Sequence, residues 1–122
     1  MGQSTNAILV WGVDLDLGEL EEEVQDRIEH LLDDGWEELE RLEKKTGVAL
    51  VSHCCSEEPM YILGLAATMT VARRGYPEKI VSLDLPKNAQ ESLTSFAEAL
   101  GIVVTKKGKK WLGRWLLASE RD

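Results

Sequence analysis

Apolar and polar residues alternate between strand-like and helix-like patterns along the chain. Residues 6–13 form a short continuous apolar run rich in strand-forming residues, which predicts a first strand buried on both faces. Between residues 20 and 32, apolar residues recur at steps of three and four, which predicts an amphipathic helix with its acidic residues facing solvent. The apolar stripe resumes at Trp36 and ends before Gly47, so this helix either kinks at Gly35 or restarts there.

The second half of the chain predicts more strands and one further helix. Residues 48–52 and 60–65 are apolar runs separated by a Glu-Glu-Pro break, which favours two adjacent antiparallel strands. A helix capped by Asn88 is predicted to end at Gly101, and a loop is predicted at 73–77, whereas the rest of 66–80 stays open. Two last strands are predicted at 102–104 and 111–118, joined by a hairpin turn at Lys107 and Gly108.

The order of these elements is strand, helix, strand, strand, helix, strand, with one additional strand at the C-terminal end. A ferredoxin-like split βαβ arrangement accommodates that order with short connections. A chain of 122 residues also has the length of one domain. We therefore predict a single α+β domain over residues 1–122, in which two helices cover an antiparallel sheet of four to five strands.

Charge is unevenly distributed along the chain. The sequence has 22 acidic and 14 basic residues, a net charge of −8 at neutral pH. Residues 14–43 contain 14 of the acidic residues and only two basic ones, Arg27 and Arg41. Because nucleic-acid phosphates repel a protein of this charge, general nucleic-acid binding is disfavoured. The hypothesis that the acidic helical face mimics a phosphate track stays open.

The compartment is predicted from two further features. The longest apolar stretch, residues 60–72, is shorter than the roughly 20 residues that cross a bilayer. Adjacent Cys54 and Cys55 rarely form a disulfide with each other, which favours reduced thiols. We therefore expect a cytoplasmic protein with no membrane partner.

Asp14 and Asp16 are the first candidates for chemistry. They follow the first predicted strand, and alternation along a strand places residues two apart on the same side. Their hard oxygen ligands suit Mg²⁺ or Mn²⁺, and the spacing resembles the first motif of haloacid-dehalogenase-like phosphatases, although Leu17 and Gly18 do not supply the Thr that usually follows. The structural alternative is that Asp16 caps the next helix, in a capping box with Glu19.

A second candidate is the loop that contains Arg73, Arg74, Tyr76 and Lys79. Two guanidinium groups and an aromatic ring on a restricted backbone are typical of an anion or protein contact. Alternatively, Tyr76 packs on the core and the arginines pair with the acidic helix.

Two other groups of residues have chemical alternatives. Trp111 and Trp115 beside the lysine-rich turn could stack single-stranded bases, but core or edge packing is the favoured interpretation. His53, Cys54 and Cys55 could supply a thiol nucleophile or two metal ligands, but buried cysteines that behave as small apolar residues are favoured.

Residues 6–15 and 73–80 resemble segments of small uncharacterised phage and actinobacterial proteins, a resemblance that implies no activity. We expect a non-enzymatic module that binds a protein partner, such as a phage-encoded modulator that uses the acidic helix or the loop at 73–79 against a basic partner. An Mg²⁺-dependent phosphoryl-transfer or nuclease domain and a single-strand nucleic-acid binder are the alternatives. No cofactor is expected under the first hypothesis, and a homodimer paired at a sheet edge stays open.

Overall fold

The computed structural model describes residues 5–55, 60–73, 75–80, 83–102 and 112–121. Within these ranges the chain has an α+β architecture with five strands, three α-helices and two short 3-10 turns at Leu17–Glu19 and Ala66–Thr68. The strands are β1 (Thr5–Leu15), β2 (Val48–Cys55), β3 (Met60–Leu65), β4 (Thr70–Arg73) and β5 (Arg114–Arg121), and the helices are α1 (Glu22–Leu32), α2 (Trp36–Thr46) and α3 (Ala89–Ala99).

The long strand β1 lies at the centre of the sheet. One of its edges pairs antiparallel with β5 along residues 5–12. Its other edge pairs antiparallel with β4 through residues 6–9 and with β3 through residues 12–15. The continuous apolar run at the start of the sequence is thus a central strand, as predicted.

The other strands complete a five-stranded sheet in the order β3-β2-β5-β1-β4, with β3 paired to β1 as well. β2 pairs antiparallel with β3, and its last residues, Cys54 and Cys55, pair in parallel with Glu120 and Arg121 of β5. The predicted α+β class and strand number are confirmed. The ferredoxin-like order is not confirmed, because β2 pairs with β5 as well as with β3, and it stays a prediction.

Alternating residues of β1 are buried on opposite faces of the sheet. One face packs against the helices in the larger of two hydrophobic clusters, which contains Trp11, Val13 and Leu15 of β1 and Phe96 of α3. On the opposite face, the described residues of a smaller cluster all belong to strands: Ile8, Val10, Val51 and Ile62, with Ala49, Leu116 and Ala118 packed around them. The sheet therefore buries apolar side chains on its second face with its own strands.

β1 and β3 approach each other closely at two glycines. A Cβ on Gly12 would collide with the backbone carbonyl of Leu63, and a Cβ on Gly64 would lie 2.5 Å from Cγ2 of Val10. Side-chain atoms at these two positions would hold the strands apart. The absence of a side chain therefore allows the pairing of Gly12 with Gly64.

The prediction of two helices is wrong, because the acidic segment forms two helices, α1 and α2, and α3 is the third. α1 ends where Asp33 leaves the helical region, with φ −101° and ψ −85°. The amide of Gly35 then donates to the carbonyl oxygen of His30 at 2.8 Å, which closes the turn. The helix thus restarts at Trp36, one of the two alternatives that the pattern left open.

The capping predictions are confirmed only in part. Asp16 accepts a hydrogen bond from the amide of Gly18 at 3.0 Å, but it caps the 3-10 turn and not α1, which begins later at Glu22. Asn88 is the residue before α3, as predicted, but its side chain makes no capping bond. Gly47 ends α2 in the left-handed region at φ 76°, as its position predicted.

Several strand boundaries differ from the sequence prediction. β2 continues to Cys55 instead of ending at residue 52, and β4 occupies part of the segment left open. β5 covers Arg114–Arg121, which shifts the predicted last strand towards the C-terminus. The predicted hairpin turn at Lys107 and Gly108 lies outside the described residues, as does most of the strand predicted at 102–104.

Candidate functional site

Two surface regions contain the site residues predicted from the sequence. The first is at the carboxyl end of β1, where Asp14 and Asp16 are both exposed. Together with Glu19, Arg114 and Leu116 they line an open depression of about 410 Å³. Asp14 and Asp16 therefore line one depression in the structure.

The chemistry of this depression is mixed. One carboxylate oxygen of Asp16 already accepts the Gly18 amide, and Arg114 places a guanidinium group beside the acids. Among the residues that the structure describes, no three His, Cys, Asp or Glu side chains are arranged to hold a metal ion. Mg²⁺ is nevertheless often held by one or two carboxylates together with substrate phosphates and water, so the Mg²⁺ hypothesis for Asp14 and Asp16 stays a prediction.

The second region is the turn that follows β4. The amide of Tyr76 donates to the carbonyl oxygen of Arg73 at 2.9 Å, and the two residues form an isolated antiparallel bridge. Gly75 has φ 81°, a conformation that side chains with a Cβ rarely adopt, and this allows the tight reversal. One backbone hydrogen bond therefore ties Tyr76 to Arg73.

The described side chains of this turn face solvent. Tyr76 is 71% exposed, so the alternative in which its ring packs on the core is wrong. Arg73 and Lys79 are also exposed, and neither forms an ion pair with any residue in the described ranges. The structure thus brings Arg73 and Tyr76 together, while Arg74 lies outside the described residues.

Sequence reasoning did not find β4, which is the strand that holds this turn. Its four residues are too few to show a strand pattern by themselves, and its pairing partner, β1, lies more than 60 positions earlier in the sequence. Val71 of β4 is partly exposed, at 37%, and Ile80 beyond the turn is 51% exposed. Two exposed β-branched residues therefore flank Tyr76 along the chain, and their exposure is evident only in the structure.

The tryptophan and cysteine candidates receive less support. Trp115 is half-buried, lies opposite Trp11 in the β1–β5 register and packs against the larger hydrophobic cluster, so its ring is not free to stack on bases. Trp111 and the lysine-rich turn lie outside the described residues. Cys54 is exposed and has φ 77°, so the prediction of buried cysteines is wrong for Cys54.

His53, the neighbour of Cys54, is partly buried. Its Nε2 atom is buried and has no hydrogen-bond partner among the described residues. Within those ranges, His53 belongs to no group of three or more His, Cys, Asp or Glu side chains that could hold a metal ion.

The chain was compared with known proteins by sequence and by fold. No protein family, curated protein or solved structure matches it. Within the described residues, no helix is both long enough and apolar enough to cross a bilayer.

Proposed function

We propose that this chain is a protein-binding module whose docking surface is the edge strand β4 together with the turn at 73–76 and residues 77–80. The observation that carries the proposal is the Tyr76 ring, which is 71% exposed on a backbone held by its hydrogen bond to Arg73. A large exposed aromatic ring on an ordered backbone loses little conformational entropy when it binds. Tyr and Arg are also the residue types enriched in binding hot spots.

The edge of the sheet supplies the second argument. β4 is the last strand in the sheet order, and among the described strands it pairs only with β1. An open edge presents unpaired amide and carbonyl groups to which an extended peptide can add as another strand. Apolar contacts with Val71 and Ile80 would stabilise such a peptide further.

Charge indicates the kind of partner. Arg73, Arg74 and Lys79 outnumber Glu78, so residues 73–79 have a local charge of +2 in a chain with a net charge of −8. This charge does not suit the basic partner expected above for the loop. An acidic partner segment suits this surface, whereas a basic partner would suit the acidic faces of α1 and α2. A homodimer through two antiparallel β4 strands is disfavoured, because it would bring the cations of both copies together.

Affinity capture with matched variants tests this proposal. The immobilised chain is exposed to an extract of the cells that produce it, and bound proteins are quantified for wild type, Tyr76→Ala, and the double variant Arg73→Ser with Tyr76→Ala. We expect the partner retained by wild type to be lost from both variants. Trp36→Ala is the control, because it removes an aromatic ring that is 57% exposed on α2. Equal retention by wild type and Tyr76→Ala would overturn the proposal.

A divalent-metal function is the second candidate, and it is favoured by the shared depression of Asp14 and Asp16. Under this alternative the two carboxylates bind Mg²⁺, and Arg114 contacts a substrate phosphate. Thermal melting with and without Mg²⁺ or Mn²⁺ tests it, because a ligand present at about 100 times its dissociation constant stabilises the folded state by about 2.7 kcal/mol. A rise in melting temperature that Asp14→Asn abolishes would favour this candidate over protein binding.

We also propose two finer descriptions of the protein. The first is a ferredoxin-like arrangement, supported by β1 lying between β5 and β3 while β2 flanks β3. The second is a phage or actinobacterial origin, which rests on the resemblance of residues 6–15 and 73–80 alone. Neither description is needed for the docking proposal.

A further inference from the structure

A cationic depression lies between the three helices, and it contains the only two basic residues of the acidic segment 14–43. It is about 500 Å³ in volume. Its lining consists of Arg27 of α1, Glu38, Arg41, Leu42 and Lys45 of α2, and Ala99 of α3. Three cations and one carboxylate give this lining a charge of +2, opposite in sign to the net charge of −8. Cations are thus concentrated where the surrounding surface is acidic.

Helix geometry explains how these side chains converge. On α2, the residues at positions 38, 41, 42 and 45 are three or four apart, so they lie on one helix face. Arg27 joins the three helices, because its Nε donates to the carbonyl oxygen of Ala99 at 3.2 Å and one terminal nitrogen donates to Glu38 Oε1 at 3.1 Å. Arg27 and Glu38 are therefore already paired with each other at one side of the depression.

Arg41 and Lys45 are available to a ligand. The Nε of Arg41 donates to the carbonyl oxygen of Glu37 at 3.4 Å, but its terminal nitrogens have no partner among the described residues. Lys45 makes no hydrogen bond or ion pair with any residue of the described chain. The next residue, Lys44, differs in this respect because its Nζ lies 3.2 Å from Glu40 Oε1. One guanidinium group and one ammonium group on the same helix face are thus left without an anion.

We propose that this depression binds a small phosphorylated organic molecule, with its phosphate between Arg41 and Lys45 and its organic part against Leu42 and Ala99. An arginine presents paired N–H donors that match phosphate oxygens, and a lysine adds a point charge. A surplus of two positive charges suits a dianionic phosphate. The volume of about 500 Å³ falls within the range of small-molecule sites and exceeds what a bare phosphate fills. This site is independent of the docking surface at Tyr76.

Nuclear magnetic resonance titration of the ¹⁵N-labelled chain tests the site with adenosine monophosphate as the probe. We expect saturable shifts of the amide resonances at 41–46 and 99–101. We expect weaker shifts of the same resonances with inorganic phosphate and none with adenosine. Absence of a saturable shift with millimolar adenosine monophosphate would overturn the proposal. Equal affinity for inorganic phosphate and adenosine monophosphate would overturn the assignment of an organic ligand.

Three variants locate the phosphate contact. Arg41→Gln combined with Lys45→Gln is expected to weaken adenosine monophosphate binding at least about tenfold. Lys45→Gln alone keeps the contact of Arg41 with Glu37 and is expected to weaken binding about threefold. Lys44→Gln removes the same charge one residue away, so its affinity should stay within about twofold of wild type. Equal weakening by Lys44→Gln and Lys45→Gln would show a general charge effect and contradict the site.

Discussion

Val10 and Gly64 lie so close together that their substitutions should be strongly coupled. Gly64→Ala would place a new Cβ 2.5 Å from Val10 Cγ2 and 3.6 Å from Val10 Cβ. The first distance is a collision, whereas the second is an ordinary contact. Val10→Ala removes both Cγ atoms and keeps Cβ, so it removes the collision. The double variant should therefore be more stable than the two single variants together predict.

The size of this coupling follows from the burial of Val10, which is 0% exposed. Val10→Ala removes two buried methyl groups and should reduce the free energy of unfolding by about 1–3 kcal/mol. Gly64→Ala overpacks the smaller cluster and should reduce it by about 1–3 kcal/mol as well. In the double variant the new methyl group occupies part of the space left by Val10. The double variant should therefore lose as much free energy of unfolding as Val10→Ala alone. This corresponds to a favourable coupling of about 2 kcal/mol between the two substitutions.

Urea unfolding of the four chains, followed by tryptophan fluorescence, measures the coupling directly. Gly18→Ala is the control, because a Cβ there meets only Asp16 Oδ1 at 3.4 Å. Gly18→Ala combined with Val10→Ala should be additive within about 0.5 kcal/mol. Additivity of the Val10 and Gly64 substitutions within the same margin would refute the close approach of β1 and β3 on this face of the sheet.

Four further substitutions distinguish other parts of the structure by their effect on urea unfolding. Asp16→Ala should reduce the free energy of unfolding by about 1 kcal/mol, because it removes the hydrogen bond that the Gly18 amide donates to the carboxylate. Unchanged stability would show that this cap does not stabilise the fold. Phe96→Ala should reduce the free energy of unfolding by about 3–5 kcal/mol, because the ring of this α3 residue is fully buried. Leu117→Ser is the control: its side chain is 76% exposed, so stability should change by no more than about 0.5 kcal/mol. Arg27→Ala should cost about 1 kcal/mol, since it removes the exposed contacts that join α1 to α2 and α3, and unchanged stability would show that these contacts are dispensable.

The elements predicted correctly are those whose signal is local. The apolar run of β1 and the three- and four-residue spacing of α1 are set by burial, so they can be recognised in the sequence alone. The left-handed Gly47 at the end of α2 is similarly local. Alternation along a strand predicts that Asp14 and Asp16 lie on one side, and in the structure both line one depression, which leaves their proposed metal role untested.

The elements that were missed depend on partners far away in the sequence. β2 extends to Cys55 because β3 and the end of β5 supply pairing partners, and β4 forms because β1 has an open edge beside it. The exposure of Tyr76 depends on the turn geometry at Gly75. Arg27 and Arg41 line one depression only because α1 and α2 pack together, and their spacing of 14 residues gives no indication of that arrangement.

The position of Tyr76 allows the most direct test of the docking surface. A photo-crosslinking amino acid is incorporated at position 76, and in a separate chain at position 36, and both are irradiated in the cells that produce the protein. A discrete adduct of higher mass from position 76, which is absent from position 36 and is lost when Arg73→Ser is added, is the predicted result. An adduct from position 36 alone, or none from position 76, would contradict the assignment of the turn after β4 as the protein-binding surface.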